Sequence, residues 1–190
     1  MREAPSLPTP RLLVRPWQDG DKPAYAALNA DPEVMEHFPS TLTAEQSDEM
    51  VERLVARWGE VGFGGWAVER LDTGEVAGTV MLASPSWDAW FTPCVEIGWR
   101  FAKQQWGHGF ATEAAHAVAD WAFANVDLPN DELVSFTTVQ NERSRRVMEK
   151  LGFTHDPADD FDHPLLEGWV GSRHVLYRMS RQRWTSGAAN

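Results

Sequence analysis

The chain has 190 residues, 43% of them hydrophobic, and a formal charge of -11 from 17 basic and 28 acidic side chains. Such a length and apolar share suit one domain with a sizeable core, and scattered basic residues on so acidic a chain argue against a nucleic-acid partner, whose phosphates need a basic face. The acidity serves solubility and would also favour a cationic partner. A single cysteine, Cys94, excludes an internal disulfide. The first six residues lack the apolar core of a signal peptide, and no uncharged apolar run is long enough to span a bilayer, so a cytoplasmic protein without a membrane partner is expected.

Residues 1–10 carry Pro5, Pro8 and Pro10 and are expected as an extended lead-in, with order beginning near Arg11 and a first strand over 11–15. Asp21 and Pro23 open a helix through Tyr25 and Leu28, and Asp31-Pro32 opens a short second helix carrying Val34, Met35 and Phe38. Thr43 and Gln46 have capping-box spacing ahead of a longer helix striped by Met50, Leu54 and Trp58. Residues 65–70 and 76–82 read as a hairpin about Asp72-Thr73-Gly74. Trp87, Trp90 and Phe91 lie in a loop, residues 84–93, where aromatic rings either cover the core or line a pocket. From 94 to 101 the chain alternates, Val95, Ile97, Trp99 and Phe101 to one side and Cys94, Glu96, Gly98 and Arg100 to the other, as a buried strand does. A helix follows, with Ala111, Ala114, Val118, Trp121 and Ala122 at helical spacing. Residues 133–139 form a further strand, and Asn141 caps a helix with Ser144, Val147, Met148 and Leu151 on one face. Gly152 ends that helix, Phe153 starts a short strand, residues 174–179 form the last strand, and 181–190 are a frayed tail. One domain over 11–180 is expected.

Between the 94–101 strand and its helix runs Gln104-Gln105-Trp106-Gly107-His108-Gly109-Phe110-Ala111-Thr112-Glu113. Strand, glycine loop and helix leave the first helical N–H groups unpaired at the positive end of the dipole, and the two glycines let an anion approach the backbone. A tight turn would need the same glycines. Gln104-x-x-Gly107-x-Gly109, framed by Glu96-Ile97-Gly98-Trp99-Arg100-Phe101 and Phe110-Ala111-Thr112-Glu113-Ala114, resembles the acetyl-CoA pyrophosphate loop of the GNAT N-acetyltransferases. A second block, residues 141–153, is similar to the RimJ/RimL branch, which acetylates protein N-termini and small amines. The resemblance extends from about Arg11 to Met179. It implies an α/β GNAT fold, a mixed and mostly antiparallel sheet of six to seven strands flanked by helices and splayed to admit acetyl-CoA. It also implies direct transfer to a primary amine, a protein N-terminus or a small molecule, through a ternary complex, without a metal, in a monomer or homodimer.

The resemblance gives the main chain of Trp99, Arg100 and Phe101 to the pantetheine arm, and Gln104, Trp106, Gly107, His108, Gly109, Phe110, Ala111 and Thr112 to the pyrophosphate loop. Asn141 would contact the cofactor arm in addition to capping its helix. His37 and Phe38, with Trp87 and Phe91, would face the acceptor. Glu96 is the candidate base, a carboxylate among apolar neighbours where desolvation raises its pKa; a salt-bridged structural glutamate is the alternative. Ser144 stands where many family members carry tyrosine. A hydroxyl is far less acidic than a thiol of pKa about 8.5, so Ser144 donates a hydrogen bond to the leaving thiolate or relays one from water, unless it bonds back to its own helix. Lys103, Arg145, Arg146 and Lys150 either meet the remaining CoA charge or form a solvated face. Residues 155–164, with two histidines among four aspartates, read as a solvated loop rather than a metal site, and their acids with Glu33, Glu36 or His37 would attract a cationic acceptor. Cys94 has no neighbouring histidine, which favours direct attack over a covalent intermediate. The competing class is a catalytically silent acyl-CoA-binding or regulatory protein; having both Glu96 and Ser144 favours the enzyme.

Overall fold

A computed structural model describes residues 4–187. In chain order the elements are β1 (Leu7–Pro8), β2 (Leu12–Arg15), α1 (Lys22–Ala30), α2 (Ala44–Val61), β3 (Gly65–Arg70), β4 (Val76–Ala83), β5 (Glu96–Phe101), α3 (Phe110–Asn125), β6 (Glu132–Thr138), α4 (Glu142–Lys150), β7 (Thr154–His155), β8 (Phe161–Asp162), β9 (Arg173–Ser180) and α5 (Arg181–Thr185). The sheet runs β1-β2-β3-β4-β5-β6-β9-β7, with β8 also on β9. Six strands have four or more residues and three have two, so short edge strands extend the expected sheet. Neighbours pair antiparallel except β5 and β6, which are parallel and share a single register point, Glu96 beside Val134. Just past it the Ser135 hydroxyl donates to the Ile97 carbonyl at 2.8 Å, and the two strands then part.

Local chemistry explains the frame. Thr43 Oγ1 accepts from Gln46 N at 3.2 Å while Gln46 Oε1 accepts from Thr43 N at 2.9 Å, the reciprocal cap that starts α2. Gly74, at φ +71°, closes the β3–β4 hairpin. The face of the sheet carrying Ile97 packs on α3 through Ala114, Ala115, Val118, Ala119 and Ala122, all fully buried. Their small side chains bring the helix axis close to the strands. Trp66 stands edge-on to Trp58 and Trp121 with ring centroids 4.7 and 5.4 Å away, where aromatic quadrupoles attract. The opposite face, carrying Glu96 and Arg100, looks toward α1 and α2, whose Tyr25, Leu28 and Val51 form a second apolar cluster. Among the described residues no helix is long and apolar enough to cross a membrane.

Four expected boundaries differ. Residues 31–38 form turns instead of a helix: Asp31 Oδ1 takes the Glu33 amide at 2.8 Å, and Pro39 disfavours helical geometry at Phe38. β5 starts at Glu96, opposite the end of β4 at Ala83. Order precedes Arg11, because Leu7 and Pro8 pair with Val14 and Leu13; residues 1–3 lie outside the described residues. The supposed frayed tail contains α5, started by Ser180 Oγ accepting from Arg183 N and held by Trp184 Nε1 donating to Asp120 Oδ1 at 2.8 Å. Residues 188–190 lie outside the described residues.

Candidate active site

The parting of β5 and β6 opens a cleft of about 840 Å³. At one end stands the N-terminus of α3. Gly107 and Gly109 adopt φ of +80° and +79°, a left-handed geometry that costs a side-chain-bearing residue roughly 1–2 kcal/mol. Gly109 is the N-cap and offers no side chain, and the first intrahelical bond is Glu113 N to Gly109 O. The amides of Phe110, Ala111 and Thr112 are therefore without helical partners, and all three residues line the cleft with Gly107 and Gly109. Glu113 anchors this end: its carboxylate accepts from Thr9 Oγ1 at 2.6 Å and from Arg11 N and Nε at 2.9 and 2.7 Å. Although burial opposes it, those hydrogen bonds hold the Glu113 carboxyl below its usual range.

The β5 edge supplies main-chain groups. Val95 and Ile97 turn their carbonyls toward β6, accepting from Val134 N and Ser135 Oγ, whereas Ala102 N donates to Ala77 O on the β4 side. Strand alternation then puts the peptide groups of Trp99 and Phe101 on the open edge and those of Arg100 against β4. Trp106 Nε1 donates to the Phe101 carbonyl at 2.9 Å, leaving the Trp99 N–H and C=O and the Phe101 N–H for a ligand. Arg100 thus departs from the expectation for its main chain; what it brings to the cleft is its side chain.

Glu96 lies on the cleft floor, partly accessible, and among the described residues it has no ion pair; burial alone pushes its carboxyl up to about 8. The salt-bridge alternative is not what forms. Gly98, next on the same face, keeps space open beside it: a Cβ there would sit 3.2 Å from Met81 Cε and 3.6 Å from Glu96 Oε1. Ser144 lines the same cleft. Its amide is capped by Asn141 Oδ1 at 3.1 Å, and its hydroxyl, free of the back-bond to its helix, makes no hydrogen bond among the described residues. Burial, then the nearby Glu96, pushes the Cys94 thiol up to about 12, which leaves it a poor nucleophile.

Several expected residues lie elsewhere. Gln104 is exposed because the single turn at residues 103–105 rotates it outward; Gln105, unremarked in the sequence, is buried, lines the cleft and accepts from Arg70 Nη1 at 3.2 Å. His108 is exposed, its ring stacked beside Phe110 and its carbonyl accepting from Arg11 Nη1 at 2.8 Å. Trp87 and Phe91 do not line the cleft, since both pack with Phe136 and Phe161 in a separate apolar cluster; these rings cover core. His37 and Phe38 do line it, with Met50 and Met81. Arg146 and Lys150 face the cleft, while Lys103 pairs with Glu33 and Arg145 binds the Val139 carbonyl and Tyr177 hydroxyl. Nor do the acids form a bare negative field: Glu36 pairs with Arg143, Asp159 with Arg178, Asp160 with His155 and Asp162 with Arg173. Thr154–His155 is the short strand expected after Phe153, and within residues 155–164, expected as a solvated loop, Phe161–Asp162 forms a second short strand on β9. Gly98 goes unremarked in the sequence, although a lone glycine inside a strand is a signal that could have marked it; Gln105 and Ser135 had none.

Comparison with known proteins agrees with this geometry. A family model described as an acetyltransferase (GNAT) domain matches residues 11–154. An uncharacterized N-acetyltransferase of Bacillus subtilis (strain 168), YoaA, is 32% identical over 154 residues, covering 78% of this chain and 82% of the relative. The FsC-acetyl coenzyme A-N(2)-transacetylase of Aspergillus fumigatus is 28% identical over 193 residues, covering 97% and 80% respectively. The crystal structure of an acetyltransferase from Agrobacterium tumefaciens superposes with a TM-score of 0.73 at 30% identity over 93% of this chain and 94% of that one. The chain belongs to the GNAT family and is an acyltransferase.

Proposed function

We propose that the protein transfers the acetyl group of acetyl-CoA to a primary amine by direct attack within a ternary complex, as a RimJ/RimL-like member of its family. The observation that carries the reading is an unpaired, desolvated carboxyl, Glu96, on the floor of the cleft whose far end holds the free amides of α3. Those amides and the helix dipole suit a diphosphate, and the open Trp99 and Phe101 groups suit an amide-bearing arm laid along β5 like an added strand. In this arrangement Glu96, as carboxylate, takes a proton from the ammonium or attacking amine, directly or through water. The nitrogen bonds to the thioester carbonyl carbon, the carbon–sulfur bond breaks, and the electron pair leaves on sulfur. Ser144 steadies that thiolate by a hydrogen bond, and water returns the proton. The elevated thiol pKa of Cys94 supports direct attack over acyl transfer through the protein.

The test is CoA thiol release from acetyl-CoA at pH about 8, where the raised Glu96 carboxyl loses its proton, across peptides of varied N-terminus, polyamines, aminoglycosides and amino acids. Turnover with one amine class, lost in Glu96→Gln, is expected. Tight acetyl-CoA binding with no release under any amine would overturn the reading in favour of a silent binder.

A further inference from the structure

Among the described residues, Arg100 is a cation in this cleft without a counter-charge. It stands on the same face of β5 as Glu96 and reaches between α1 and α2. Its Nη1 donates to Asn29 Oδ1 at 2.5 Å and lies 3.9 Å from Met50 Sδ. Asn29 is fully buried and fixed in turn by its Nδ2 donating to Ser47 Oγ at 2.8 Å. The guanidinium lies 4.1 Å over the Phe38 ring. Its hydrogen bonds among the described residues run through Nη1 alone, and Nε is enclosed with no partner. No carboxylate of the described residues pairs with it, and Glu33, an acid of the cleft lining, pairs with Lys103. Burial accordingly lowers its pKa.

An enclosed guanidinium without an anion is an expensive arrangement to maintain unless something supplies the charge. The unused nitrogens are informative. Nε is closed off by its surroundings, so the donor left for an incoming carboxylate is Nη2, while Asn29 holds Nη1 in place. We propose that Arg100 binds a carboxylate of the acceptor, so that the substrate class is an amine that also carries a carboxylate, its amino end toward Glu96. The proposal rests on the acetyl-transfer reading and narrows it: amino acids and short peptides with a free carboxylate fit, whereas polyamines and aminoglycosides do not. Four residues of strand separate Glu96 from Arg100 by about 13 Å along β5, which bounds the distance between the acceptor's two ends.

The test uses matched acceptors that differ only at the charge: glycine, 4-aminobutanoate, 6-aminohexanoate and glycylglycine, each against its carboxamide, with 3-aminopropyl phosphate as a different anion. CoA release gives kcat/KM, and calorimetric binding in the presence of CoA gives affinity without requiring turnover. In the wild type at least one acid is expected to exceed its amide by roughly tenfold or more in both readouts. The ratio should fall to near one in Arg100→Gln and return in part in Arg100→Lys. Acids and amides indistinguishable in the wild type, or a preference that survives Arg100→Gln, would overturn the proposal, as would selection of the phosphate alone. The wild-type comparison stands even if a variant fails to fold. Acetyl-CoA neither bound nor cleaved would sink the acetyl-transfer reading and this one with it, whereas acetyl-CoA cleaved without acid preference sinks this one alone.

Discussion

The two walls of the cleft are built from different material. One wall comes from a contiguous stretch, residues 96–112, and presents main chain: the open edge of β5, two glycines at positive φ and the first amides of α3. The other is assembled from side chains brought together across the sequence, among them Tyr25 of α1, His37 and Phe38 of the following turns, Met50 of α2 and Arg100 of β5. Main-chain donors are the same whatever the surrounding residues, so the first wall suits a cosubstrate common to a family. Side chains from separate segments change independently, and we propose the second wall as the one that sets selectivity for an acceptor.

The largest effect should come from the group standing between the walls. Glu96→Gln keeps the shape and removes the base, and kcat/KM should fall by about 10²–10⁴-fold with the KM for acetyl-CoA little changed. The wild-type rate should climb with pH through about 8, as the raised carboxyl loses its proton, and that limb should vanish in the variant. A variant retaining the limb would move the base elsewhere. Next comes the main-chain wall: Gly109→Ala places a Cβ at the α3 entrance on a residue at φ +79°, in ordinary contact 3.5 Å from Arg11 Nη2. A rise of roughly tenfold or more in the KM for acetyl-CoA is expected, with kcat at saturation largely kept, since the loss of diphosphate contact is a binding loss. An equal fall in kcat with no change in KM would contradict the division of labour between the walls.

The same contrast explains what the sequence discloses. Hairpin, capping box, glycine loop and N-cap are local devices, each set by residues a few positions apart, and all four stand where the spacing put them. Glu96 is legible too, because a lone acid in an alternating apolar strand has only one face to occupy. Trp87 and Phe91 are not: whether loop aromatics line a pocket or fill a cluster depends on Phe136 and Phe161, which reach them only through tertiary packing. Gln104 and Gln105 are chemically identical neighbours, and a single turn decides which one faces the cleft. The isolation of Arg100 is likewise invisible in one dimension, since it depends on Asn29, held by Ser47 of a different helix, meeting the guanidinium where an acid could have stood. Acidic composition suggested a cationic acceptor; pairing between side chains removes much of that field.

Smaller effects sharpen the comparison further. Ser144→Ala should reduce kcat by about tenfold to a hundredfold, because a hydrogen bond to a charged group contributes about 1.5–3 kcal/mol. Its free hydroxyl and its capped amide separate cleanly here, as alanine retains the amide that Asn141 caps. An unchanged kcat would assign thiolate stabilisation to water or to another donor of the cleft.

The smallest effect concerns stability. Glu96 has a folded-state pKa of about 8 against an ordinary 4.5, so the folded protein holds this proton more tightly than the unfolded chain. For a raised pKa the stabilisation is fully present below 4.5 and is lost as pH rises through about 8. Glutamine never ionises and carries no such dependence. The Tm difference between Glu96→Gln and the wild type should therefore grow in the variant's favour from pH 5 to pH 8.5. Because the carboxyl retains some contact with water in the cleft, the gain should be only about 1–2 kcal/mol, less than the full linkage of a sealed group. A pH-independent difference would mean that Glu96 is well solvated in the free enzyme, and that its use as a base near neutrality depends on closure of the cleft around both substrates.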